Sequence, residues 1–65
     1  MIGKVIKELR KEKELTQEQL AEKLQISRPA LGHYETGRIE VPNELLPKIA
    51  KFFGVTIDYL FELEN

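Results

Sequence analysis

Arg28, Pro29, Gly32, His33 and Thr36 alternate with Ala30, Leu31 and Tyr34 at the spacing of an amphipathic helix. Wound as a helix, Ala30, Leu31 and Tyr34 turn inward, leaving an outer face with a guanidinium, an imidazole and a hydroxyl. Arginine is a rigid planar fork of donors, matched to phosphates and to the edge of a guanine. A glycine inside a helix costs about 0.8–1 kcal/mol relative to alanine, so Gly32 on the outer face makes sense where another surface must come close. The chemistry is hydrogen-bonded recognition of a polar partner. Catalysis has no footing. The chain has no cysteine, His33 is its single histidine, it has no glycine-rich phosphate loop, and so short a chain is expected to leave no substrate pocket of about 300 Å³ or more. A lone histidine without spaced partners holds no metal, and neither a cofactor nor a small-molecule ligand is expected.

Short helices must hold this face in place. Ile2, Val5, Ile6 and Leu9 predict a first helix ending near Lys13, with Lys4, Lys7, Glu8 and Lys11 turned away. Those lysines read as a solvated face, one or two of them near DNA if the third helix reads it. A second helix starts at Thr16, an N-cap with Gln19 three residues on as capping-box partner, and Leu15 and Leu20 are placed for a hydrophobic staple. Its inner face is Leu20, Ala21 and Leu24. Ser27 caps the third helix, Pro29 falls in the first turn where no intrahelical donor is needed, and Gly37 supplies a left-handed stop. Arg38 to Asn43 is irregular. A fourth helix begins near Leu46 or Pro47, buries Leu46, Ile49, Ala50 and Phe53, and stops at Gly54. Thr56 caps a fifth, with Val55 and Leu60 as a second staple and Asp58 in its first turn. No stretch has period-two alternation, so the expected fold is all-α with five helices in a single domain spanning 1–65. Two short helices joined by a tight turn over 16–37 make the outer face of the second a probe narrow enough for the DNA major groove. Helices over 46–62 complete the core.

A 65-residue chain buries only about 60% of its unfolded surface, so each core position counts. Hydrophobic content of 42% beside 32% charged residues is that of a soluble globular domain and not of a disordered tail. Without cysteines there is no disulfide framework. Apolar stretches such as Phe52-Phe53 are far too short to cross a membrane or to form a signal peptide, so the expected location is cytoplasmic, with no membrane partner. The net charge of −1 hides an asymmetry. Residues 1–14 carry Lys4, Lys7, Arg10, Lys11 and Lys13 against Glu8, Glu12 and Glu14. Residues 39–65 carry Glu40, Glu44, Asp58, Glu62 and Glu64 against Lys48 and Lys51. The acid lies in the last third, a distribution that permits DNA binding without demanding it.

The set Thr16-Gln17, Leu20-Ala21, Leu24, Ser27-Arg28, Leu31, Tyr34-Glu35 and Gly37-Arg38, at this spacing, resembles the Xre/Cro-type helix-turn-helix domain of lambdoid phage repressors and Cro proteins. Gly54-Val55-Thr56-Ile57-Asp58-Tyr59-Leu60 is similar to the family's fifth-helix segment, so the resemblance covers nearly the whole chain. It implies a five-helix, lambda-repressor-like fold and a sequence-specific regulator of double-stranded DNA, a dimeric repressor inserting its third helix into the major groove. Ser27, Arg28, Pro29, Gly32 and His33 then occupy base-reading positions. Thr16, Gln17, Thr36 and Arg38 occupy backbone-contacting ones, with Gln17 also positioning a side chain of the third helix. Arg10 and Glu35 match a salt-bridge pair joining the first and third helices. Ile57 and Tyr59 match positions at which such proteins dimerise.

Glu14 and Gln25 stand where many members have glycine in a left-handed stop, at a cost on the order of 1 kcal/mol each. Pro29 replaces a polar base reader and offers only apolar contact, as to a thymine methyl. Ile39, Glu40 and Val41 follow Arg38 where some phage repressors are basic, which implies fewer phosphate contacts and weaker binding. Ile57, Tyr59, Phe61 and Leu63 cannot all enter so small a core beside Phe53, Val55 and Leu60. Such an apolar cluster marks a partner surface, and a homodimer built on Ile57, Tyr59 and Phe61 sets half-sites of a near-palindromic operator about 34 Å apart. A second reading is a protein-interaction module of the same fold, of antitoxin or anti-repressor type, and a protein antagonist is compatible with either.

Overall fold

Local hydrogen-bonding devices start and stop the helices in the computed structural model, which describes residues 2–64; the end positions of the expected 1–65 domain lie outside the described residues. Among those residues there are five α-helices: α1 (Ile2–Glu12), α2 (Gln17–Leu24), α3 (Arg28–Glu35), α4 (Leu46–Phe53) and α5 (Ile57–Glu64), with a 3-10 turn over Asn43–Leu45 before α4. The described residues contain no strand, and the fold is all-α. At the start of α2, Thr16 Oγ1 accepts from the Gln19 N–H at 3.1 Å while Gln19 Oε1 accepts from the Thr16 N–H at 2.9 Å, a complete capping box. Ser27 Oγ accepts from the Ala30 N–H at 3.1 Å, and Thr56 Oγ1 from the Tyr59 N–H at 3.0 Å. Gly37 and Gly54 end α3 and α4 at φ of 78° and 70°. The first helix stops at Glu12, one residue short of expectation, and α5 runs to Glu64, past the expected 62.

Every helix sends at least one fully buried side chain into a common core: Ile6 from α1, Leu20 and Leu24 from α2, Leu31 from α3, Ile49 from α4 and Leu60 from α5. α3 packs on both α1 and α2, whereas α5 closes the far side against α1 and α4. Leu31 alone of the expected inner face of α3 is fully buried; Ala30 and Tyr34 are half-buried. The first is too small to reach the centre and the second lies in the last turn, at the edge. Phe53 is likewise half-buried beside the core, its ring edge-on to Phe52 with centroids 5.0 Å apart.

Backbone geometry carries two features that matter for the site. Glu14 and Gln25 both adopt left-handed conformations, at φ of 57° and 59°, at the ends of α1 and α2. The stops are well made: Leu15 N–H reaches the Arg10 carbonyl at 3.1 Å, and Ile26 N–H reaches Ala21 at 2.9 Å. The side chains fit the left-handed region poorly, at about 1–2 kcal/mol per residue. Gln25 recovers part of this by accepting from Lys48 Nζ at 2.7 Å, which ties the α2 stop to α4. The other feature is Gly3, which periodicity did not single out. A Cβ there would lie 1.7 Å from the Tyr34 carbonyl oxygen and 3.4 Å from Glu35 Cα. Only glycine lets α1 come this close to the end of α3.

These features predict opposite outcomes on thermal melting. Gly3→Ala forces the α1–α3 contact apart and should cost about 1–3 kcal/mol, as overpacking does; an unchanged midpoint would mean that the contact is looser than described. Glu14→Gly relieves the left-handed strain and should gain about 1 kcal/mol, or roughly 4–8 °C in a domain of this size. Gln25→Gly should gain less, because it loses the Lys48 bond.

Candidate nucleic-acid interface

Glu35, the last residue of α3, is the point on which three helices converge. Arg10 of α1 clamps its carboxylate with both arms, Nε to Oε2 at 2.7 Å and Nη2 to Oε1 at 3.1 Å. Gln17, the first residue of α2, donates from Nε2 to the same Oε1 at 3.0 Å. Arg10 Nη1 also donates to the Leu15 carbonyl at 2.7 Å, fixing the turn into α2. Arg10 is 9% exposed and Glu35 6%, so the pair is shielded from water. Among the described residues no buried side-chain nitrogen or oxygen lacks a partner. A buried carboxylate with these donors is fully compensated. The third-helix side chain that Gln17 contacts by a hydrogen bond is Glu35.

The outward face follows from this anchoring. Gln17, Arg28, Pro29, Gly32, His33, Thr36 and Arg38 line one open hollow of about 490 Å³. Ser27 and Thr16 are exposed at the leading ends of α3 and α2. In each, the capping bond uses an acceptor lone pair of the hydroxyl, and the O–H stays a donor toward solvent. Thr36 differs: its hydroxyl donates back to the Gly32 carbonyl at 3.0 Å and offers its lone pairs outward. A Cβ on Gly32 would meet nothing nearer than Gln17 Nε2 at 3.9 Å, an ordinary contact. Nothing inside the protein requires glycine there.

The surface does hold hollows above the size that chain length was expected to exclude, including one of about 480 Å³ beside α1 and one of about 350 Å³ near α5. They are open grooves between small helices, whereas a substrate pocket encloses most of its ligand. Among the described residues no group of three or more His, Cys, Asp or Glu is placed to hold a metal. No helix among the described residues is long and apolar enough to cross a membrane. On α5, Leu60 points into the core, and the other apolar residues divide to its two sides. Ile57, half-buried on the core, shares one flank with Phe61, while Tyr59 shares the other with Leu63. Tyr59, Phe61 and Leu63 are 42%, 44% and 43% exposed, so Ile57, Tyr59 and Phe61 do not form one continuous patch.

A family model described as helix-turn-helix matches residues 6–60, from α1 into α5. The chain is 49% identical over 60 residues to the HTH-type transcriptional activator BcrR of Enterococcus faecalis, a match covering 92% of this chain and 29% of BcrR. It is 40% identical over 65 residues to the uncharacterized HTH-type transcriptional regulator YqaE of Bacillus subtilis, covering all of this chain and 56% of that protein. Antitoxin PezA of Streptococcus pneumoniae is 46% identical over 56 residues, covering 86% of this chain and 35% of PezA. The chain therefore spans less than a third to just over half of the length of these relatives. With the family match running through all five helices, the chain belongs to the Xre/Cro-type helix-turn-helix family.

Proposed function

We propose that this domain, the whole of 1–65, reads the sequence of double-stranded DNA as a dimeric repressor in the cytoplasm. The observation that carries the reading is the single hollow shared by Gln17, Arg28, Pro29, Gly32, His33, Thr36 and Arg38 on the outside of α3. The internally unrequired Gly32 is among its lining residues. In this reading α3 enters the major groove leading with its N-terminus. Arg28 pairs with the O6 and N7 edge of a guanine, Ser27 and His33 donate to neighbouring edges, and Pro29 packs on a thymine methyl. Gly32 lets the helix backbone lie close to the bases. Thr16, Gln17, Thr36 and Arg38 meet phosphates and set the register without specifying sequence. Gln17 has a double task, since the amide that braces Glu35 also stands at the rim of the hollow. The exposed apolar flanks of α5 supply the contact between two copies, with Ile57, Tyr59 and Phe61 at or beside it, and repression follows from occlusion of promoter elements.

Two relatives favour neighbouring readings. BcrR is named an activator, and the same DNA contacts serve activation when a bound domain touches polymerase. PezA is named an antitoxin, which favours a protein partner, and the acidic C-terminal third is suited to one.

Selection from random duplexes distinguishes these readings. The wild-type domain should enrich a near-palindrome with half-sites about 10 base pairs apart. Arg28→Ala should relax the guanine preference and cost about 1–3 kcal/mol of discrimination. Gly32→Ala should move stability and binding in opposite directions, raising the unfolding free energy by up to about 1 kcal/mol while weakening operator binding. No enrichment even at low salt would overturn DNA reading in favour of a protein partner.

A further inference from the structure

Beside the proposed reading face lies a second hollow of about 480 Å³, lined by Lys4, Lys7, Glu8 and Lys11 of α1 together with Glu35 and Thr36 at the end of α3. Thr36 lines both hollows, so the two lie side by side. Lys4, Lys7 and Lys11 recur three and four residues apart, which stacks them along one exposed stripe of α1. None of the three lies within 4.0 Å of a carboxylate among the described residues, where the Arg10–Glu35 bridge is the salt bridge formed. Glu35 is spent on Arg10 and Gln17, and its side chain is 1% exposed. Glu8 is the one exposed acid lining the hollow, so the stripe keeps a clear positive excess.

We propose that this lysine stripe is a second phosphate-binding surface, which grips the backbone of the same duplex alongside α3. The proposal rests on α3 reading DNA and adds a partner surface to that reading. Its occupant is set by charge complementarity and by adjacency to the reading face through Thr36. The stripe also supplies what the segment after α3 lacks. Ile39, Glu40 and Val41 bring no cation to the backbone, whereas α1 brings a row of them to the end of α3. Gly3 makes the arrangement possible, because its missing side chain lets α1 lie against the Tyr34 carbonyl and carries Lys4 and Lys7 to that edge.

The test is the salt dependence of binding to a selected operator and to a scrambled duplex, for the wild-type domain and three variants with helicity checked by circular dichroism. Each neutralised phosphate contributes about 0.9 to the slope of log K against log salt, so K4Q/K7Q/K11Q should lower the slope by about 2–3. It should weaken operator and scrambled duplex equally, leaving their ratio unchanged. K4R/K7R/K11R should keep the wild-type slope. A control, K23Q/K51Q, removes exposed lysines that line neither hollow and should change the slope little. A slope unchanged in K4Q/K7Q/K11Q, or lowered as much in the control, would overturn the stripe while leaving α3 reading intact, which Arg28→Ala reports separately. Wild-type protein that binds neither duplex would overturn both.

Discussion

The bidentate bridge between Arg10 and Glu35 is the interaction on which the candidate site depends. Its strength comes from its setting: both partners are nearly closed off from water, and every polar atom they bury is answered by Leu15, Gln17 or each other. A buried pair of this kind gains little over a well-packed apolar pair, because desolvation offsets much of its Coulomb attraction. Breaking it is another matter. Removing one member strands a charge at about 3–5 kcal/mol, a large share of the roughly 5–15 kcal/mol that stabilises a domain. What the bridge secures is geometry. One carboxylate on α3 fixes α1 through Arg10, the α1–α2 turn through Leu15, and the first residue of α2 through Gln17.

Much of this was legible in the sequence, for identifiable reasons. Thr16 with Gln19, Ser27, Thr56, Gly37 and Gly54 are local signals, and each acts within its own turn; the helices therefore start and stop where those residues stand, to within a residue or two. Leu20, Leu24, Leu31, Ile49 and Leu60 are buried where periodicity placed them. Long-range proximity was not legible. Gly3 looks like an ordinary weak helix residue until the Tyr34 carbonyl is found against it. The Lys4–Lys7–Lys11 spacing shows one face of α1, but only the packing of α1 on α3 shows what that face adjoins. Arg10 and Glu35 lie 25 residues apart, and only the family resemblance paired them. The division of Tyr59 and Leu63 from Ile57 and Phe61 could have been seen, since a two-residue step moves a side chain about 200° around a helix.

Several residues hold the domain below its attainable stability. Glu14 and Gln25 occupy left-handed positions that glycine would fill without strain, and Gly32 weakens α3 where alanine would fit with room to spare. Only Gly32 lies on the proposed reading face. Its cost has a functional explanation in close approach to a partner, and the Gln25–Lys48 bond gives that residue a structural one. Nothing in the structure explains Glu14.

A double-mutant cycle on the bridge tests the central claim most directly. Urea unfolding of R10M, E35M and the double variant isolates the coupling between the two side chains. If the bridge positions α3 as described, each single variant loses about 3–5 kcal/mol, and the double variant loses much less than their sum. Single losses below about 1 kcal/mol that simply add would show two independent surface charges and would leave α3 without the anchor on which the proposed reading face depends.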